Sequence, residues 1–309
     1  MTGSTDGRPA QGRPGASPEV LGTAAALAAA TIWGATLAMT RLGVAEQAAS
    51  FGPHDMVLLR FAAPAALLLP LAWRSLDRLR RLEPARLLAL LAGGGAPFVL
   101  VVGAGLQQAG SADAGALLPG TLPLWVTAAS LLAGRQGPAL QARQLLGLGL
   151  VALAALLVAG PGLLAGDAWM GTGLLLLAAW LAAGYTLALR RSGLAPLEAT
   201  ALVSLGSVLA FLPLYLFALE PGLARAPWAE VAMHAAWQGG VSGIAAPVAF
   251  AIAVARLGAQ RAAAFAALSP LAAALFGLVL MGEAPEWLAA AGLVASAAGV
   301  ALSAGTARR

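Results

Sequence analysis

Long apolar stretches separated by short charged segments dominate the pattern of this chain. Nine intervals lack Asp, Glu and Arg for at least 21 residues, and a tenth, residues 54–73, is interrupted only by Asp55 and Arg60. A bilayer core of about 30 Å needs about 20 apolar helical residues, because every backbone polar group must be satisfied within the helix. The pattern therefore predicts an all-α integral membrane protein with ten transmembrane helices. We number these spans 1 to 10: 20–40, 54–73, 87–112, 114–134, 144–166, 168–189, 199–219, 231–255, 262–282 and 287–307.

Composition supports this class of protein. Apolar residues make up 60% of the 309 positions and charged residues 10%, whereas a soluble domain carries about 25% charged residues. A signal peptide is the rival interpretation of span 1, but the apolar run continues to Thr40, which is long for such a segment. The tail before span 1, residues 1–18, is rich in Gly, Pro and Ser and is predicted to be disordered.

The basic residues are distributed asymmetrically along the chain. All 18 are arginines. If the N-terminus is cytoplasmic, 15 of them lie in inner segments, Arg41 and Arg225 lie in outer segments, and Arg60 lies within span 2. Because basic loops stay in the cytoplasm, both termini are predicted to be cytoplasmic in a bacterial inner membrane. The arginines lie in short loops between apolar spans, so the basic charge indicates topology and not nucleic-acid binding.

The two halves of the chain are weakly similar at a spacing of 147 to 150 residues. Trp33 in ATIWGATLAMTR matches Trp180 in LAAWLAAGYTLALRR, and Ala-Pro97 matches Ala-Pro247. Ala- and Leu-rich helices can align by composition alone, but here the matches follow the same order in both halves. We predict a first repeat over residues 19–165 and a second over residues 166–306.

Each predicted repeat has five spans, and an odd number places the second copy upside down relative to the first. Such inverted repeats are characteristic of secondary transporters, whose substrate site lies near the membrane midplane where the repeats meet. The repeat therefore changes the interpretation from a membrane protein to a transporter.

Three short motifs lie within the spans: Trp33-Gly34, Arg60-Phe61, and Pro270 followed by Gly282-Glu283. With these motifs, residues 20–305 resemble the EamA-type drug/metabolite transporter superfamily. The first copy departs from the last motif, since Gly134 is followed by Arg135 and not by glutamate. The resemblance implies ten spans around a central cavity, and export or exchange of small metabolites or amino-acid-like compounds.

Aromatic and polar side chains within the spans are the candidate substrate-cavity residues, because polar groups in a span usually face the interior of the helix bundle. His234, Trp237 and Gln238 share one face of span 8 by their spacing. Anchoring at the membrane interface is the alternative for His234 and Trp237, and close helix packing is the alternative in spans 1 and 6. The predicted set is Trp33, Thr36, Trp125, Trp180, Tyr185, His234, Trp237 and Gln238.

Arg60 and two prolines are predicted to have other roles. Arg60 could bind an anionic substrate or counter-ion. Structurally, it could pair with a carboxylate such as Asp55 or Asp113, or extend its guanidinium outward to the membrane interface; the resemblance to the family favours a structural role. Pro97 and Pro247 remove a helix hydrogen bond at matching places, and we interpret them as gating hinges or as static kinks.

The predicted function is secondary transport of small organic metabolites, by efflux or exchange, with protons or a counter-substrate as candidate coupling partners. Zinc-binding, phosphate-binding and aspartate-rich motifs are absent from the sequence, so no catalytic residue, metal or cofactor is predicted. A membrane-embedded enzyme acting on a lipid or polyprenyl substrate is the alternative, and a membrane scaffold or receptor is a third hypothesis. Because a fused pair of five-span units can close one cavity, the protein is predicted to be a monomer.

Overall fold

The computed structural model of the protein describes residues 18–45, 50–132, 141–165 and 169–303, which form helices and no strands. Of the tail predicted to be disordered, only Pro18 lies among these residues, and it begins the first helix. The elements are α1 (Pro18–Val44), α2 (Pro53–Leu67), α3 (Leu69–Arg80), α4 (Pro84–Gly94), α5 (Ala96–Gln108), α6 (Ser111–Leu117), α7 (Leu122–Leu132), α8 (Ala142–Ala165), α9 (Trp169–Ser192), α10 (Pro196–Ala218), α11 (Trp228–Ala235), a π-helical segment (Ala236–Ala245), α12 (Ala246–Leu257), α13 (Ala259–Ala266), α14 (Ser269–Met281) and α15 (Trp287–Ser303).

Within the described residues, eight helical stretches are long and apolar enough to cross a membrane, and they correspond to predicted spans 1 and 3 to 9. Span 2 differs from the prediction, because α2 and α3 are bent by 81° where they meet. Pro70, in the first turn of α3, lacks the N–H that would continue the helix from α2. The described part of span 10, α15, has 17 residues. The predicted multi-pass, all-helical class is thus supported by eight or nine spans, and the count of ten stays a prediction.

The first and second halves of the chain are interleaved. Most large helix contacts join an element before residue 166 to one after residue 168: α1 with α12 and α14, α2 with α10 and the π-helical segment, α4, α5 and α7 with α9, α6 with α14, and α8 with α15. The molecule is therefore not two separate bundles, and a site near its centre is built from both halves.

Small residues allow the closest of these contacts. A Cβ atom at Gly34 of α1 would overlap the Ser269 carbonyl of α14, and one at Gly115 of α6 would lie within 3.1 Å of Pro270 and Ala273. Such close approach of backbones is the usual way in which helices associate within lipid.

Ion pairs and tryptophans mark the two ends of the helix assembly. We call the end that carries Arg41, Ser111 and Glu283 the Glu283 face, and the end that carries the Arg78–Glu198 ion pair the Arg78 face. Tryptophan is typical of the level of the lipid headgroups. Three strongly exposed tryptophans begin helices at the Glu283 face: Trp169, Trp228 and Trp287.

Candidate functional site

Two predicted spans lose regular α-helical geometry at matching places. Span 3 breaks at Gly95, whose backbone is extended (φ −104°, ψ −153°), and the next N–H, that of Ala96, donates to the Ser207 hydroxyl at 3.0 Å. Span 8 contains the π-helical segment, which ends at Ala245. Pro97 and Pro247 lie in the first turn after each distortion. Both predicted hinge positions therefore adjoin non-α geometry. This fits the chemistry of proline, which has no N–H to donate to the preceding turn.

A buried polar cluster lies beside the π-helical segment. The Arg60 Nη1 of α2 donates to the Ser242 hydroxyl at 2.8 Å and to the Gln238 Oε1 at 3.2 Å. Gln238 Nε2 in turn donates to the Thr40 hydroxyl of α1 at 2.8 Å. Gln238 and Ser242 are 2% and 1% exposed. We call Arg60, Gln238, Ser242 and Thr40 the Arg60 cluster, and it joins three elements from both halves of the chain.

Arg60 does not make either of the ion pairs that the sequence suggested. Among the residues that the structure describes, no carboxylate forms an ion pair with Arg60, so pairing with Asp55 or Asp113, one of the structural alternatives offered by the sequence, is not found. Asp55 is fully buried and accepts hydrogen bonds from the Tyr215 hydroxyl and from the Gly222 N–H. Its position at the start of α2 directs it to this loop and away from Arg60.

The predicted stripe on span 8 faces α1. Trp237 Nε1 donates to the Thr36 hydroxyl at 3.3 Å, one turn along α1 from the Gln238–Thr40 bond. His234 lies farther towards the Glu283 face, where it is 2% exposed and its ring centroid is 5.1 Å from that of Phe51. Its Nδ1 has no hydrogen-bond partner among the described residues. Thr36, Trp237 and Gln238 are therefore brought together next to Arg60, and His234 is packed apart from them.

The remaining predicted cavity residues occupy other places. Trp33 packs against Phe250 of α12, with ring centroids 5.1 Å apart. Trp125 and Trp180 form a T-shaped pair between α7 and α9, with centroids 5.6 Å apart, and Trp180 is 38% exposed. The predicted set is thus distributed over several contacts.

Tyr185 links α9 to the region around Arg60. Its ring packs on Gly94 of α4, where a Cβ atom would lie 2.7 Å from it. Its hydroxyl interacts electrostatically with the Arg60 guanidinium. Tyr185 therefore contacts α4 just before the break in span 3 and lies within electrostatic range of Arg60.

Two cavities open elsewhere, at the Glu283 face. One of about 410 Å³ is lined by Ser111, Asp113 and Glu283 together with α8 and α9 residues, and one of about 510 Å³ is lined by His54 and Asp55 with the loop before α11. Neither is lined by a residue that we predicted for the substrate cavity, so the role of those residues stays a prediction.

An ion pair that the sequence did not predict connects helix ends at the Glu283 face. Arg41 Nε lies 2.9 Å from Glu283 Oε1, and Arg41 Nη1 donates to the Leu106 and Gln107 carbonyls at 2.6 and 2.9 Å. Glu283 Oε2 accepts from the Ser111 N–H at 3.1 Å. The only available signal was that two opposite charges end spans 1 and 9 on the same predicted side of the membrane.

Packing is tighter near the Glu283 face than near the Arg78 face. In span 4, six of the seven α6 residues are buried, whereas α7, which follows towards the Arg78 face, has no buried residue. In α1 the buried positions concentrate between Gly34 and Val44, while Val20 and Leu21 are 58% and 45% exposed. The described helices are therefore more tightly packed at the Glu283 face than at the Arg78 face.

Comparisons with known proteins agree with a membrane transporter. The family described as "EamA-like transporter family" matches residues 169–305, which include α9 to α15. No curated protein matches the sequence. Eight chains of solved structures match. One of them, described as "Crystal structure of protein", is 22% identical in sequence to this chain. The alignment covers 93% of this chain and 97% of the other and has a TM-score of 0.56, which supports the fold. Residues 169–305 are therefore similar to the EamA-like transporter family, and the apolar helices support a multi-pass membrane protein.

Proposed function

We propose that this protein is a secondary transporter of small organic solutes, built from two inverted five-helix repeats and working by alternating access. The observation that carries the proposal is the Arg60 cluster. It is a buried polar group between both halves of the chain, beside a distorted span that packs on α1 and α2. Irregular backbone at membrane depth occurs where it is buried in protein or lines a cavity, and charged side chains within spans commonly mark an ion or substrate path.

The helix contacts support repeats over residues 19–165 and 166–306. The proposed repeats pair span 1 with span 6, span 3 with span 8, and span 4 with span 9. Under this pairing, the contacts of α1 with α12 and α14 correspond to those of α9 with α5 and α7. The α2–α10 and α8–α15 contacts each map onto themselves under the same pairing. This is the contact pattern that a pseudo-two-fold axis in the membrane plane produces.

The two faces supply the elements of alternating access. The Arg41–Glu283 pair fastens the Glu283 face, and the poorly buried α7 lies towards the Arg78 face. With both termini in the cytoplasm, as we propose from the arginine distribution, the Glu283 face is the outer face, and we propose that the Arg41–Glu283 pair holds the helices together there in this conformation. Pro97 and Pro247 then serve as hinges through which the other conformation is reached, and a single chain closes the cavity.

The transporter family domain does not favour the alternative of a membrane-embedded enzyme. Efflux or exchange, driven by protons or by a counter-substrate, follows from the family resemblance and from the absence of a nucleotide-binding motif in the sequence.

Reconstitution tests the proposed function. Liposomes containing the full-length protein are loaded with a metabolite mixture, and solute loss is followed by mass spectrometry with and without an imposed pH gradient. We expect at least one solute to leave faster than from protein-free liposomes. If no solute moves in either condition, or if a lipid is chemically modified instead, the transporter proposal is wrong.

A further inference from the structure

The Arg60 guanidinium has one occupied side and one free side. Arginine carries five N–H donors in a fixed plane, and both side-chain hydrogen bonds of Arg60 leave from Nη1. The edge formed by Nε and Nη2 has no acceptor among the described residues. Since Gln238 and Ser242 are almost completely buried, they hold Nη1 in place and thereby fix the direction of this edge.

The charge of Arg60 is also uncompensated within the part of the chain that the structure describes. Its hydrogen-bond acceptors are a neutral amide and a neutral hydroxyl, and the Tyr185 hydroxyl, which lies within electrostatic range, is also neutral. Arg60 is only partly exposed, and a charge that is shielded from water is costly unless it is paired. Among the described residues, one negative charge and two acceptor oxygens are therefore missing beside the guanidinium.

We infer that Arg60 binds the carboxylate group of the transported solute, side-on through Nε and Nη2, with Gln238 and Ser242 as positioning residues. A carboxylate presents two coplanar oxygens that match this edge bidentately, and it carries the single charge that one guanidinium neutralises. The nearby Trp237 and Tyr185 offer aromatic surface to the organic part of the solute. The ligand class is a small organic carboxylate, and the inference rests on the proposed transport function.

Matched pairs of carboxylate and amide test this inference. Binding to the purified full-length protein is measured by calorimetry with hexanoate and hexanamide, phenylacetate and phenylacetamide, and leucine and leucinamide. We expect at least one carboxylate to bind about tenfold or more tightly than its amide, because a hydrogen-bonded charge pair is lost with the amide. The preference should fall to about one in Arg60→Gln, and Arg60→Lys should recover only part of it, since lysine lacks the planar fork.

Arg225→Gln is the matched control, because Arg225 is strongly exposed and makes only a long, solvent-exposed ion pair with Glu220; its carboxylate preference should equal that of the unmodified protein. Ser242→Ala, which removes one Nη1 acceptor, should reduce the preference about threefold or more and decides the question if Arg60→Gln does not fold. The inference is overturned if none of the three carboxylates is preferred, or if the preference survives in Arg60→Gln or, where that variant fails to fold, in Ser242→Ala.

Binding and transport separate this inference from the proposed function. If carboxylates bind in a way that depends on Arg60 but no solute crosses the liposome membrane, the transporter proposal is wrong and the carboxylate site at Arg60 is supported. If neutral or cationic solutes are transported and no carboxylate is preferred, the transporter proposal is supported and the carboxylate site at Arg60 is wrong.

Discussion

Arg41 at the end of α1 and Glu283 after α14 form an ion pair of 2.9 Å that joins the two halves of the chain at one face of the molecule. The side chains are 17% and 26% exposed, so the pair is largely shielded from water. Because Glu283 also accepts from the Ser111 N–H, the pair gathers three helix ends at the face where the helices are most tightly packed.

Replacing Glu283 by glutamine should loosen this face. The chain has no cysteine, so a single Ser111→Cys reporter can be labelled with a membrane-impermeant maleimide. Losing the charge should destabilise the packing at the Glu283 face by about 1 to 2 kcal/mol. The cysteine at position 111 should then be labelled about 5- to 30-fold faster. The control is Glu286→Gln, an exposed acid of the same turn. Equal labelling rates in both variants would contradict a gating role for the pair.

Removing the charge of Asp55 should destabilise the protein. This carboxylate is fully buried and accepts hydrogen bonds from Tyr215 and from the Gly222 N–H. In Asp55→Asn, an amide group would face donors that need acceptors, so the free energy of unfolding should fall by about 2 to 3 kcal/mol. Glu220→Gln, at a position that is 86% exposed, should change it by less than about 0.5 kcal/mol. Denaturant unfolding in detergent measures both, and similar values for the two variants would show that the buried acid is not important for stability.

Substituting Pro97 or Pro247 by alanine should slow transport. Alanine restores an N–H to the turn after each distortion, which allows a continuous helix to form and stiffens the place where we propose bending. We expect the rate of solute loss from liposomes to fall several-fold in each variant while the melting temperature stays the same or rises. Pro123→Ala, in the first turn of α7, is the control. Unchanged kinetics in both variants would identify the prolines as static kinks.

Single cysteines test the inverted topology. Ser192→Cys at the end of α9 and Ser303→Cys at the end of α15 should react only with reagent applied from the cytoplasmic side. Glu286→Cys should react only from the outside. The expectation follows because the arginine distribution places the ends of spans 6 and 10 inside and the turn after span 9 outside. Labelling of Ser192→Cys and Glu286→Cys from the same side would exclude the proposed arrangement.

The hydropathy pattern predicted the helices well because lipid imposes a minimum apolar length on each of them. It did not predict the bend between α2 and α3 or the π-helical segment Ala236–Ala245. The first changes the direction of the helix axis and the second changes the backbone hydrogen-bond pattern. Neither change alters the polarity of the side chains, so the hydropathy pattern does not reveal them. Such features depend on neighbours, for example the Pro64 side chain that packs on Gly239 and Gly243.

The candidate site was predicted in part. Residue type and spacing identified Thr36, Trp237 and Gln238, which lie together between α1 and span 8. The same reasoning left the role of Arg60 open and offered an acidic partner as one structural possibility, whereas its hydrogen-bond partners are an amide and a hydroxyl far along the chain. A single sequence gives no measure of which distant helices meet, so it could not distinguish a neutral partner from an acidic one.

The contact between α1 and α14 at Gly34 has a mechanical consequence. The Ser269 carbonyl and the Ala272 Cβ atom both lie so close to Gly34 that a Cβ atom at this position would overlap them. Any larger side chain at position 34 would therefore push α1 and α14 apart. The spacing between the two halves of the molecule at this crossing thus depends on the absence of a side chain from a single residue.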